Sequence, residues 1–85
     1  MVKLKVSSQV RRKGYTIFKS NGVKIALETN ERIHFNVKGE NEEHFVIFDK
    51  KRKKFSCDCQ FFALHEKPCS HIYAAYLFLR SSKRL

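Results

Sequence analysis

Eighty-five residues carry 18 Lys and Arg against 8 Asp and Glu, a formal charge of +10. So short a chain makes one domain and buries only about 60–65% of the surface that its unfolded state exposes, which leaves a metal or a cross-link as a common aid to folding. The charge favours polyanionic partners, no stretch is long or apolar enough to span a bilayer, and the Met1–Ser7 segment lacks the apolar core of a signal peptide.

Val2, Leu4 and Val6 alternate with Lys3 and Lys5, which suits a strand. Ser7 or Ser8 also serves as an N-cap for a short helix through Gln9, Val10 and Arg11, stopped by Gly14, and this helix is the preferred reading. Lys3, Lys5, Arg11, Arg12 and Lys13 make this end strongly basic, as a solvated face or as a nucleic-acid contact. From Tyr15 to Phe55 the signals are those of strands. Tyr15-Thr16-Ile17-Phe18 is β-branched and aromatic, and Ser20-Asn21-Gly22 reads as a hairpin turn. Val23, Ile25 and Leu27 alternate as the apolar set of the next strand, with a turn at Thr29-Asn30 or Asn30-Glu31. Ile33, Phe35 and Val37 alternate likewise before the Gly39-Glu40-Asn41 turn. His44-Phe45-Val46-Ile47-Phe48 follows, then the charged turn Asp49-Lys50-Lys51-Arg52, and Lys54-Phe55-Ser56-Cys57 opens the last strand. His34 and His44 fall on the polar faces of their strands and read as surface residues.

All three cysteines lie in one window, Cys57-Asp58-Cys59 and Cys69-Ser70-His71. In an extended chain residues two apart share a face, so Cys57 and Cys59 can lean onto one metal. Inside a helix residues two apart diverge by about 200°, so Cys69 belongs just before a helix and His71 in its first turn. Pro68 disfavours helix at Lys67, and Ser70 is the expected N-cap. Three thiolates and one imidazole make a closed tetrahedral zinc site. Buried apolar thiols, or one disulfide with a cysteine left over, are the alternatives. The odd count argues against a disulfide framework, and free thiols suit a reducing compartment. The expected location is therefore intracellular, the cytoplasm or, in a eukaryote, the nucleus. His65 lies between the ligand pairs and competes with His71 for the fourth position. Residues Gln60 to Lys67 read as a loop, with Phe61 and Phe62 as core plugs or an exposed patch. From Ser70 to Ser81, Ile72, Ala75, Tyr76 and Leu79 form one helical stripe. Tyr73, Leu77 and Phe78 lie partly off it, so the helix is deeply buried or meets another chain.

The C-x-C and C-x-H pairs, with the apolar helix that follows, resemble the SWIM-type zinc finger over roughly Phe55 to Leu79. The resemblance implies a β-hairpin and a helix around one structural zinc held by Cys57, Cys59, Cys69 and His71, and a role in binding DNA or proteins. The expected fold is α+β: a small antiparallel β-meander of four or five strands, a zinc-bound β-hairpin–helix module at the C-terminus and a short N-terminal helix. One domain spans residues 1–85, with the basic segment and meander over 1–53 and the zinc module over 54–82. The C-terminal half is expected to depend on the metal more than the N-terminal half.

No paired carboxylates, nucleophile–base pair or phosphate loop stand out, and catalytic zinc needs an open position. The chain is expected to be no enzyme, with no small-molecule substrate and no membrane partner. The leading expectation is a zinc-stabilised nucleic-acid-binding module, DNA ahead of RNA, serving recombination, repair or transcription. Its contacts would be Lys3, Lys5, Arg11, Arg12, Lys13, Lys50, Lys51, Arg52, Lys53 and Lys54, the last five abutting the first ligand pair; Arg80, Lys83 and Arg84 add charge at the C-terminus. The rival is an adaptor docking through Phe61, Phe62, Tyr73 and Leu77 onto a recombinase-like or other nucleic-acid-processing partner. A homodimer built on the last helix is a third arrangement.

Overall fold

The computed structural model describes residues 5–39, 42–65 and 67–82. Lys3, Lys83 and Arg84, the Val2 and Leu4 of an N-terminal strand, and Glu40-Asn41 of the third turn lie outside them. The elements run α1 (Ser8–Lys19), β1 (Val23–Glu28), β2 (Arg32–Lys38), β3 (Glu43–Asp49), β4 (Lys54–Cys57), α2 (Gln60–His65) and α3 (Ser70–Ser81). The four strands form one sheet in the order β1-β2-β3-β4, each pair antiparallel. The fold is α+β.

The first helix begins where its cap predicts: Ser7 Oγ accepts the Val10 N–H at 3.2 Å. It does not stop at Gly14. It continues through Tyr15-Thr16-Ile17-Phe18, the segment that read as a strand. Gly14 is instead the contact point with α3: a Cβ there would lie 2.8 Å from Tyr73 Cδ2 and 2.9 Å from the Ser70 carbonyl oxygen. Ile17 and Phe18 pack on the core from this helix, so tertiary packing outweighs their β preference. Asn21-Gly22 is then a helix exit rather than a hairpin. Asn21 takes φ 61°, and Gly22 N–H reaches back to the Ile17 carbonyl at 2.9 Å. Because α1 and α3 touch backbone to ring at Gly14, Gly14→Val is expected to cost about 1–3 kcal/mol of stability despite the better helix propensity of valine. Urea denaturation at fixed free zinc measures it.

Alternation in β2 and β3 buries Ile33, Phe35, Val37, Val46 and Phe48 on one face. In β1 the pattern holds at Val23 and fails at Leu27. The register jumps between Ile25 and Leu27, and a one-residue slip turns the following side chains to the other face. Leu27, expected inside, is therefore 57% exposed. The inner face of the sheet receives α3, and α1 packs on α3 from the other side. This explains why α3 is apolar nearly all round: Ile72, Ala75, Tyr76 and Leu79 are buried, Phe78 sets its ring edge-on to Phe35 at 6.0 Å, and Tyr73 faces Gly14. The helix serves two neighbours within one chain. Among the described residues no helix is long and apolar enough to cross a membrane.

Candidate metal centre

The sheet delivers Cys57 at the end of β4, beside Val46 of β3. Two residues on, Cys59 precedes α2, whose first turn closes with Ala63 N–H on the Cys59 carbonyl at 3.1 Å. The segment expected as a loop is thus partly a short helix, and its N-terminus orients Cys59. Cys69 is itself the N-cap residue of α3, in extended backbone with no side-chain cap bond. Ser70, expected as the cap, is the first helical residue. His71 follows in the first turn, as the spacing requires.

The four ligand atoms, three Sγ and one imidazole nitrogen, all lie within 4.8 Å of one another. His71 turns Nδ1 to the sulfurs, 3.7 Å from Cys69 Sγ and 3.9 Å from Cys57 Sγ. Zinc bonds of about 2.3 Å to sulfur and 2.0 Å to nitrogen give a tetrahedron with S···N edges of about 3.5 Å. The donor set and its size fit one structural Zn2+ with every position taken by protein. His65 stands apart, exposed at the end of α2 with its ring 4.9 Å from that of Phe61.

Without the ion the sulfurs crowd one another. Hydrogen bonding from Cys57, opposed by burial, holds the Cys69 thiol down to about 4. Cys57 is correspondingly pushed up, by its hydrogen bond to Cys69 and by burial. Burial leads the upward shift at Cys59. Zinc takes all three sulfurs as thiolates.

The structure adds a residue that the alternation misplaced. His44 lies on the inner face of β3, half-buried rather than on a polar face. Its ring centroid is 4.3 Å from that of His71. Its Nδ1 is 3.0 Å from Asp58 Oδ1 and its Nε2 is 2.9 Å from Glu42 Oε2. Asp58, between two ligands, also accepts the Phe45 N–H at 3.1 Å. His44, held by Asp58 and Glu42, thus packs its ring against that of His71. The run His44-Phe45-Val46-Ile47-Phe48 is apolar on both faces, so its sequence does not say which side His44 takes. Removing that ring with His44→Ala is expected to weaken zinc binding by about ten-fold or more, as losses around metal ligands do. Competition with a chromophoric chelator reads the change.

The other residues singled out by the sequence scatter. Arg12 and Lys13 of α1 line a concavity with Gly39, Ser70 and His71, beside the metal centre. Lys5 and Arg11 are exposed. The Lys50–Lys53 turn does not abut the metal centre. It closes the far end of the sheet, where Lys50 N–H donates to the Glu31 carbonyl at 2.8 Å, about 10 Å along β4 from Cys57. Lys50 pairs with Glu28 at 2.9 Å, whereas Lys51, Arg52, Lys53 and Lys54 are exposed. Of the apolar candidates, Phe62 packs against the core, Tyr73 faces Gly14 and Leu77 is half-buried. Phe61 is 43% exposed.

No curated protein and no solved structure matches the chain. Residues 48–79 match the family model of the SWIM zinc finger, a span that holds all four ligands, β4, α2 and nearly all of α3. With its Cys3His donor set gathered at that place, the chain carries a SWIM zinc finger built around one structural zinc ion.

Proposed function

We propose that the protein is a non-catalytic nucleic-acid-binding module, with DNA its first target. The observation that carries this reading is the cationic turn at the far end of the sheet, a built feature and not a frayed loop. Asp49 Oδ1 accepts the N–H groups of Lys51 and Arg52 at 3.0 and 3.1 Å. Those bonds, Arg52 first, hold its carboxyl below the usual range. Lys53 completes the turn at φ 54°. Four exposed cations, Lys51 to Lys54, are thereby presented from a fixed backbone, as phosphate contacts require. Arg12 and Lys13 supply a second cationic site at the other end. The zinc keeps both in place and takes no part in chemistry, since protein fills its coordination. Fluorescence anisotropy with labelled DNA is expected to show log K falling linearly with log salt. Lys51→Glu with Lys53→Glu should flatten that slope by about 0.7–0.9 for each phosphate that is no longer neutralised. Absence of DNA and RNA binding at low salt overturns the reading.

Phe61 and Leu64, 43% and 70% exposed one turn apart on α2, favour a second reading as a docking surface for a nucleic-acid-processing protein. On that reading Phe61→Ser abolishes the complex and leaves DNA affinity unchanged.

A further inference from the structure

Among the described residues α3 packs on the face of the sheet that carries Phe35, Val37 and Val46. On the other face the register sets Leu27, His34 and Ile47 in one cross-strand row, and Lys24, Asn36 and Phe45 in the next. Open antiparallel faces are normally polar, yet Phe45 is 56% exposed in the middle of this one. Its strand, β3, is central in the sheet. Its main chain is pinned on both sides by Asp58, whose carboxylate accepts the Phe45 N–H at 3.1 Å and whose N–H donates to the Phe45 carbonyl at 3.3 Å. Asp58 stands between the zinc ligands Cys57 and Cys59, so the segment that carries the metal ligands also holds the Phe45 main chain.

Four residues along β3, roughly 14 Å away, the same face opens into a concavity of about 330 Å³. Arg32, Arg52 and Lys54 line it with Asp49, whose carboxylate is already engaged by the Lys51 and Arg52 main chain. An exposed ring and a cationic hollow thus share one surface, about two nucleotides of an extended strand apart. A duplex keeps its base faces stacked inside and offers such a ring nothing. An unpaired strand offers free base faces that stack on aromatics whatever the sequence, while its backbone follows the positive charge.

We propose that the open face of the sheet binds single-stranded nucleic acid, a base stacking on Phe45 and the phosphates held by Arg32, Arg52 and Lys54. The inference rests on the nucleic-acid reading above and adds the strand class and the face. It is tested with the zinc-loaded protein and labelled oligo(dT) and oligo(rU) of about a dozen nucleotides, beside a duplex of equal length. Single strands are expected to bind more tightly than the duplex. Phe45→Ala should weaken single-strand binding about 5- to 100-fold, the usual effect of removing one stacking aromatic, and leave duplex binding unchanged. Phe45→Tyr should retain affinity. Phe45→Leu, which keeps apolar bulk without a ring, should behave as Phe45→Ala and guards against a folding defect; zinc content and circular dichroism check each variant. If Phe45→Ala and Phe45→Leu bind oligo(dT) as the parent does, or if the duplex is bound as tightly as the single strands, the inference fails while the nucleic-acid reading stands. If the parent binds neither form, both fail.

Discussion

Stripping the zinc is expected to unfold the whole domain and not its C-terminal half alone. Sequence order suggests two halves with unequal need for the metal, but the fold does not keep them apart. Cys59 and Cys69 are buried in one cluster with Phe35, Val37, Ile72 and Leu79. The N-terminal helix has its main partner in α3, which starts at the metal centre. Structural zinc contributes on the order of 10–16 kcal/mol of apparent binding free energy in finger peptides, while whole domains are stable by only about 5–15 kcal/mol. A chelator should therefore remove helical and sheet signal in circular dichroism together, in one transition. A metal-free sample that keeps both overturns the expectation. The proton count gives a second readout. In the metal-free, unfolded chain the three thiols have the ordinary cysteine pKa of about 8.5 and keep their protons at neutral pH. The zinc-bound state binds fewer protons than the metal-free state, so affinity falls as pH falls. Zinc uptake near neutral pH should release about three protons, one from each cysteine ligand, which calorimetry in buffers of different ionisation enthalpy measures.

Phe35→Ala is expected to cost about 3–5 kcal/mol, a large part of the stability of so small a domain. Phe35 is fully buried at the centre of β2, opposite Ile25 and Val46. It meets Phe78 edge-on at 6.0 Å and 77°, a favoured aromatic geometry. Alanine leaves a hole where the sheet supports α3, and α3 cannot settle into it without dragging His71 from the sulfurs. Zinc in excess adds stability by mass action and masks the loss, so the denaturant midpoint is compared at one buffered free-zinc concentration. Phe45→Ala, on the opposite face of the same sheet, should leave that midpoint nearly unchanged.

Legibility followed the range of the interactions. The strands β2, β3 and β4 and the helix α3 stood in the sequence because period-two and period-3.6 patterns are local. A turn around Asn30, between Glu28 and Arg32, did too. Errors fell where a distant partner decided. Gly14 reads as a helix stop until Tyr73 and Ser70 are placed against it. Tyr15 to Phe18 reads as a strand until Ile17 and Phe18 find the core. The bulge that exposes Leu27 carries no glycine or proline to announce it.

Spacing alone determined the metal centre of this protein: four donors at C-x-C and C-x-H intervals, one pair leaving a strand and the other entering a helix, because ligand directions follow from backbone periodicity. Tertiary structure alone decided what surrounds them. That His44 packs against His71 and that Phe45 looks outward both depend on which face of the sheet α3 covers. That choice is made by burial of apolar area summed over the whole chain, and no window of sequence contains it.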